Sequence, residues 1–365
     1  MRYFNEINIL RAFAILAVIS IHVSTYFTKM GSVNVLAATY MAIDVFSHFA
    51  VPLFICISGF VLYNKYSGAI NLRTFYEKRL MSVLPQYLIF STFYLGVTYI
   101  VPMIRAKPVD LDIPHILYLY ATGGCFYHLW FFVLIIQLYL LYPAIVRIYH
   151  YCDARGRTCE LLIALFFAGV IFHTIYPAPD VYVLGVATRF MAYIFYFVLG
   201  MFIRSRYDDL VLKSASTTPP YCLSLPLLCC TLLGIFTYAH EYFAVEITRI
   251  QPIAGQYWHW IDSMTTPLYY VVIFALCFGI SLHLVSRRTR VFTVLEKIGH
   301  YSFGIYLVHA FFIYVLVQVF PRLGFDWNNW LFYPLTFALT LVLSYLSVEI
   351  IQKLPYSTYI IGSTR

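Results

Sequence analysis

Long apolar segments separated by short polar ones run along the whole chain. Cutting the sequence at its charged and Pro/Gly-rich stretches leaves ten segments that are long enough for a helix to cross a bilayer. They lie at about residues 7–27, 36–63, 80–104, 127–149, 160–176, 185–203, 221–239, 263–285, 300–320 and 330–352. The pattern predicts an all-α, polytopic integral membrane protein with about ten transmembrane helices.

Composition supports this prediction, and the basic residues orient the helices. The chain is 62% hydrophobic and only 11% charged, which excludes a soluble globular protein of ordinary composition. With the N-terminus inside, the cytoplasmic segments hold 17 of the 24 Lys and Arg residues, and the outer segments hold five. Because cytoplasmic loops carry the basic excess, both termini are predicted to be cytoplasmic. The net charge of +8 then reflects this asymmetry and attraction to membrane lipids, and it requires no nucleic acid partner.

The first apolar segment carries two ionisable residues, Arg11 and His22. A charged side chain inside a bilayer costs about a few kcal/mol unless it faces protein or a water-filled cavity. The two residues are eleven positions apart, which returns them to the same helix face at a separation of about 16 Å along the axis. We therefore predict a polar stripe along this helix and a functional role for both residues.

An arginine and a histidine with ten residues between them in the first membrane helix resemble the signature of the membrane-bound acyltransferase-3 family. Three later segments also resemble helices of that family: VPLFICISGF at 51–60, YHLWFFVLIIQLYLLYP at 127–143 and IGHYSFGIYLVH at 298–309. The resemblance covers nearly the whole chain. It implies one acyltransferase-3-like transmembrane domain over residues 1–365, without an appended extracytoplasmic domain.

The resemblance also implies a function. Such a protein is an O-acyltransferase of the cell membrane that moves an acyl group, acetyl by default, from cytoplasmic acyl-CoA to a glycan hydroxyl, with acyl-CoA as co-substrate and no metal. The acceptor is a cell-surface or lipid-linked glycan, and a homo-oligomer or a partner in glycan synthesis is compatible with this role. Ten helices with buried charge are also typical of a polysaccharide exporter or a small-molecule transporter.

The basic segment after the second helix is the candidate donor site. Arg79 matches the first of two arginines that the family carries three residues apart, and Ser82 stands at the second position. We expect the donor phosphates to contact Arg11, Arg79, Lys78 and Arg73, because guanidinium and ammonium groups bind phosphate. Ser58 is a further candidate for this site. The alternatives are that the basic residues only set topology and contact headgroups, and that the Ser58-Gly59 pair only permits close helix packing.

His22 and Asp44 are the candidate catalytic residues. Neutral His22 is expected to take the proton of the acceptor hydroxyl as a general base, or alternatively to carry the acyl group covalently. Asp44 is an intramembrane carboxylate that either orients His22 or pairs with His48 one turn away. The family often has an acidic residue where this chain has Pro52, and the sequence leaves open whether Asp44 replaces it.

Two other features are assigned to structure first. His128 and His309 recur in the family-like motifs, but lone histidines on apolar helices are more often hydrogen-bonded structural groups than catalysts. In the outer segment 240–262, the aromatic residues Tyr257, Trp258 and Trp260 form either an interfacial belt or a platform for sugar rings.

The charge distribution generates a topology prediction. A cysteine placed at Ser67, in a predicted cytoplasmic segment, should be shielded from an impermeant thiol reagent applied to intact cells, and should react once the cells are permeabilised. Labelling of this cysteine in intact cells would reverse the whole assignment of sides.

Overall fold

The computed structural model describes residues 4–30, 34–100, 112–175, 183–216, 219–248 and 254–362. These residues form sixteen α-helices and no β-strand, which confirms the all-α prediction. In chain order the helices are α1 (Asn5–Ser24), α2 (Val35–Ser47), α3 (Ala50–Tyr66), α4 (Leu72–Leu80), α5 (Leu84–Leu95), α6 (Ile113–Thr122), α7 (Trp130–Asp153), α8 (Thr158–Ile175), α9 (Val183–Thr188), α10 (Phe190–Ser205), α11 (Tyr207–Ser216), α12 (Pro219–Thr248), α13 (Ala254–Arg287), α14 (Arg290–Val319), α15 (Phe332–Ile351) and α16 (Ser357–Ile361).

Nine helical segments of the described residues are long and apolar enough to cross a membrane, and they coincide with nine of the ten predicted spans. The remaining span falls in α12, whose apolar part, Leu225–Ala239, is shorter. Two features differ from the expectation. The sequence pattern did not predict α6, and most of the outer segment 240–262 is helical because α12 and α13 extend into it. The side chains of the aromatic residues in that segment lie outside the described residues.

The directions of α1 and α14 indicate that α12 also crosses the membrane. α1 lies at the centre of the fold and packs against α2, α3, α13, α14 and α15. Asn8 meets Gly299 near one end of the α1–α14 pair, and His22 meets His309 further along, so the two helices run parallel. Parallel spans require an odd number of crossings between them, and six of the nine apolar segments lie between these two. We infer that α12 supplies the seventh, which restores the ten predicted spans.

The segments predicted to be cytoplasmic meet at one end of the helices. The ring of Phe4 packs against Tyr207 at 4.8 Å between centroids. The Arg204 guanidinium donates to Asn64 Oδ1 over 2.7 Å, and Arg206 pairs with Asp153 at 2.9 Å. Each contact joins two segments that the count of basic residues had assigned to the same side.

The second predicted span is broken into α2 and α3 around residues 48–49. Pro52 explains the break, because it lacks an N–H and its ring clashes with the carbonyl four residues earlier, that of His48. The backbone N–H of His48 turns to Val45 O at 3.3 Å, and its imidazole Nδ1 donates to Asp44 O at 2.8 Å. The side chain of His48 thus satisfies the carbonyl that the break would have left unpaired.

Glycines allow α3 and α10 to cross in backbone contact. A Cβ atom on Gly59 would lie 1.9 Å from Phe197 O, and one on Gly200 would lie 1.9 Å from Cys56 O. No side chain can occupy either position unless the helices separate. The packing interpretation of the Ser58-Gly59 pair therefore applies to Gly59.

We predict that Gly59→Ala destabilises the protein. The added methyl group meets backbone atoms that cannot yield without separating α3 from α10, and such overpacking costs about 1–3 kcal/mol. Gly68→Ala is the matched control, because nothing lies within 4 Å of a Cβ at that position. Thermal unfolding of the two detergent-purified variants should show a lowered Tm for Gly59→Ala only, and equal Tm values would contradict the packing role.

Candidate active site

The phenol of Tyr139 on α7 brings together three of the residues predicted for the donor site. Arg79 and Arg11 both lie close enough to act on it electrostatically, and Ser58 lies beside it. Arg11 also donates to Asn8 Oδ1 over 3.4 Å, while the Ser58 hydroxyl donates to Phe54 O over 2.9 Å. Two guanidinium groups, one from α1 and one from α4, thus act electrostatically on the same partly buried phenol.

Arg79 points inward because it shares a face of α4 with Phe75. Phe75 is buried and stacks on Tyr142 with 5.4 Å between ring centroids, which fixes the inner face of this short helix. One turn later, the Arg79 guanidinium lies over the Tyr66 ring at 5.4 Å. Its Nε is buried and has no hydrogen-bond partner among the described residues, and neither has the Tyr66 hydroxyl. An unpaired buried guanidinium N–H fits a phosphate oxygen.

The other basic residues of α4 lie on its outer face. Arg73 forms an exposed ion pair with Glu77 at 3.0 Å, and Lys78 is exposed. Both therefore suit the headgroup interpretation of this segment, whereas Arg79 suits the donor site. Ser82, at the second family position, donates its hydroxyl to Arg79 O over 2.7 Å and so stabilises the end of α4.

His22 lies at the far end of α1 from Arg11, within a group of aromatic rings. Its imidazole stacks on His309 with 5.3 Å between centroids and an interplanar angle of 22°. The ring of Tyr127 meets it edge-on at 4.7 Å. Both contacts are made through the faces and edges of the rings.

His309 and His128 form the buried side of this group. The Nδ1 of His309 donates to Tyr306 O over 2.7 Å, and its Nε2 has no partner among the described residues. Both ring nitrogens of His128 are likewise buried without a hydrogen bond of normal geometry in that part of the chain, although the Leu307 carbonyl lies close to the ring. The two rings are 5.2 Å apart. An unsatisfied buried polar atom costs about 1–3 kcal/mol, so two such imidazoles side by side need an explanation.

Asp44 is held by α1 and by its own helix. Its Oδ1 accepts from the Ser24 hydroxyl over 2.9 Å, and its Oδ2 lies 3.4 Å from His48 Nδ1. His48 in turn lies close enough to His22 for an electrostatic interaction. Within the described residues, the carboxylate thus reaches the candidate base through Ser24 and His48. Its role in catalysis remains a prediction.

A row of aromatic rings connects the two ends of the site. Phe54, one turn before Ser58, packs against Phe131 at 6.2 Å and against Tyr306 at 6.4 Å between centroids. Tyr306 then contacts His128 at 5.4 Å and His309 at 5.6 Å. The wall between Arg11 and His22 is therefore apolar, with polar groups at both ends.

Neither Tyr139 nor Tyr66 stands out in the sequence, and lone histidines such as His128 and His309 are first assigned to structure. The family-like motif at 127–143 contains both His128 and Tyr139, so position in a motif was the available signal. Composition could not separate these tyrosines from the other 32 in the chain.

No group of three or more His, Cys, Asp or Glu side chains in the described ranges could hold a metal ion.

A separate cavity of about 100 Å³ lies between α8, α10 and α13, with His173, Ser263 and Thr266 among its polar lining.

Comparison with known families gives a match. A family model described as an acyltransferase domain, that of acyltransferase family 3, matches residues 4–349. No curated protein matches the chain significantly. No solved structure does so either.

Proposed function

The chain belongs to the acyltransferase-3 family and is a membrane acyltransferase, and we propose that it moves an acyl group, acetyl by default, from cytoplasmic acyl-CoA to a hydroxyl group of a glycan. The transferred group is not an aminoacyl group. The acceptor is a cell-surface or lipid-linked saccharide, so the reaction is an O-acetylation that modifies polysaccharide at the plasma membrane.

One observation carries this proposal: α1 connects a basic site to a histidine site through an apolar wall. Arg11 joins Arg79 at Tyr139, and His22 joins His309 at the other end of the same helix. The two residues are about 16 Å apart along the helix axis. In acyl-CoA the phosphates and the thioester are separated by the pantetheine arm, which is of comparable length. The donor phosphates would thus contact the arginines while the thioester lies at His22.

His22 provides the proton transfer that the reaction needs. One ring nitrogen of the neutral imidazole accepts the proton of the glycan hydroxyl as its oxygen attacks the thioester carbonyl carbon. The carbon–sulfur bond then breaks, and the thiolate of coenzyme A takes the proton from the His22 imidazolium. Asp44 acts indirectly, because it holds His48 and Ser24 in place beside this site.

The side assignments support transfer from one face of the membrane to the other. Arg79 lies in a segment that the charge distribution places in the cytoplasm, where acyl-CoA is available. His22 lies towards the outer end of α1, where the helix continues into the short 3₁₀ segment Thr25–Lys29. The acceptor would approach from that end, and no carrier for the whole donor is required.

We predict that Arg79→Ala raises the KM for acetyl-CoA while the protein still inserts and folds. The substitution removes a charge-assisted contact with phosphate, worth about 1.5–3 kcal/mol, or roughly ten- to a hundred-fold in KM. Arg73→Ala is the matched control, because that arginine pairs with Glu77 on the exposed face. An unchanged KM in well-expressed Arg79→Ala protein would exclude Arg79 from the donor site.

We also predict that membranes containing the protein transfer radiolabel from acetyl-CoA to a glycan fraction. In the same assay, His22→Asn should lower the turnover roughly 10²-fold or more. Asparagine keeps a polar group of similar reach but does not exchange a proton near neutral pH, so donor binding should persist. Arg11→Ala should show the opposite pattern, with weakened donor binding.

The outcomes of this experiment separate the alternatives. Wild-type turnover in His22→Asn would exclude the general base, and joint loss of binding and turnover would indicate a structural role. Release of one equivalent of coenzyme A without acceptor would indicate an acyl-His22 intermediate. An exporter or transporter would transfer no label even in the wild type.

A further inference from the structure

The reaction proposed above leaves one requirement without a residue. Attack on the thioester carbonyl places negative charge on its oxygen, and a preorganised N–H donor in a water-excluded site is the usual means of stabilising that charge. His22 handles the proton, and Arg11 lies at the opposite end of α1. A donor must therefore come from the group of rings around His22.

His128 has the required group. Its side chain is buried, with 1% of its surface exposed, and neither ring nitrogen makes a hydrogen bond of normal geometry in the part of the chain that the structure describes. The Leu307 carbonyl lies close to the ring, but it already accepts from the Tyr94 hydroxyl over 2.8 Å. A neutral imidazole always carries one N–H. The residue therefore holds a buried donor without a well-formed hydrogen bond to the described protein groups.

The position of His128 is fixed from several directions. The Tyr306 hydroxyl donates to His128 O, which holds the backbone against α14. The imidazole packs edge-on against Tyr94 at 4.9 Å and lies 5.2 Å from His309. The ring is therefore held in place before any substrate arrives, as an oxyanion donor must be.

His128 also lies near the base. His309 contacts both rings, His128 at 5.2 Å and His22 at 5.3 Å between centroids. His22 and His128 are close enough to interact electrostatically. His128 is thus separated from His22, the residue that takes the proton, by the ring of His309.

The neighbouring buried donors are already engaged. Because His309 Nδ1 donates to Tyr306 O, its Nε2 in the neutral ring only accepts. The Tyr94 hydroxyl donates to Leu307 O over 2.8 Å, and the Tyr306 hydroxyl donates to His128 O. Tyr127 is the remaining phenol beside His22, and 46% of this residue is exposed, against 1% of His128.

We propose that the His128 N–H binds the carbonyl oxygen of the acyl donor and stabilises the oxyanion during transfer. The proposal rests on the acyltransferase function above. The acceptor oxygen bonds to the carbonyl carbon, its proton moves to His22, and the carbonyl electron pair moves onto the oxygen that faces His128. When that pair returns, the carbon–sulfur bond breaks and the thiolate takes the proton from His22.

The kinetic test compares two substitutions at His128. His128→Leu removes the donor and keeps an apolar side chain in the pocket, so kcat should fall 10²- to 10³-fold with little change in the KM for acetyl-CoA. His128→Gln restores an N–H and should recover part of the loss. Wild-type turnover in His128→Leu would overturn the proposal, and a 10²-fold loss in Tyr127→Phe with none in His128→Leu would transfer the role to Tyr127.

Infrared spectroscopy gives a readout that is independent of turnover. Acetyl-CoA labelled with ¹³C at the carbonyl should show a lowered carbonyl stretching frequency when it binds the wild-type protein without acceptor. The shift should persist in His22→Asn and disappear in His128→Leu. An unshifted carbonyl in the wild type overturns the proposal without any variant, even where His128→Leu fails to fold.

Different results would contradict the proposed acyltransferase function and the proposed oxyanion role of His128. Absence of acyl transfer by the wild type would contradict the proposed function itself. Transfer by the wild type, with unchanged turnover and carbonyl frequency in His128→Leu, would contradict only the oxyanion role.

Discussion

The close contact between α1 and α14 is the constraint on which the site depends. A Cβ on Gly299 would lie 1.7 Å from Asn8 O, so the two helices can approach this closely only where α14 has a glycine. In a membrane there is little hydrophobic drive between helices, and packing through small residues takes its place. The contact brings two parallel helices together near one end, and further along the same pair His309 stacks on His22. The histidine site thus lies on the helix pair that this glycine allows to pack closely.

The second constraint is that polar groups inside a bilayer need partners within the protein. Pro52 breaks the second span, and the His48 imidazole and the Ser24 hydroxyl then satisfy the groups at Asp44. The same rule draws attention to His128 and His309, because both ring nitrogens of His128 and the Nε2 of His309 make no hydrogen bond of normal geometry in the region that the structure describes. A buried polar atom without a partner in the resting protein is a reasonable place for a substrate atom.

The arrangement separates recognition from chemistry along one helix. Arg11 and Arg79 offer charge where a phosphate can arrive, and the rings of Phe54, Phe131 and Tyr306 form an apolar wall between that site and the histidines. Under the proposed function, this apolar wall would suit the uncharged pantetheine arm and would exclude water from the thioester. The charged end of the proposed donor would then not need to cross the bilayer.

The sequence by itself predicted ten spans, their order and their directions, because apolar length and basic asymmetry are local properties of the chain; nine of these spans are found as long apolar helices among the described residues. It also determined that Arg11 and His22 share a face of one helix, and through its motifs it determined the family. It did not predict α6, which is ten residues long and too short for a spanning pattern. Pro52 was visible in the sequence, but the hydrogen bonds that repair the break were not.

Only the tertiary structure decided which polar residues meet. Phe75 turns Arg79 inward and leaves Arg73 and Lys78 exposed, although all three belong to the same basic segment. Tyr139 and His309 join residues of α1 that are more than a hundred positions away in sequence. Such contacts depend on how helices pack in three dimensions, and helix packing is set by small residues and side-chain shapes distributed over the whole chain. Local sequence patterns do not encode it.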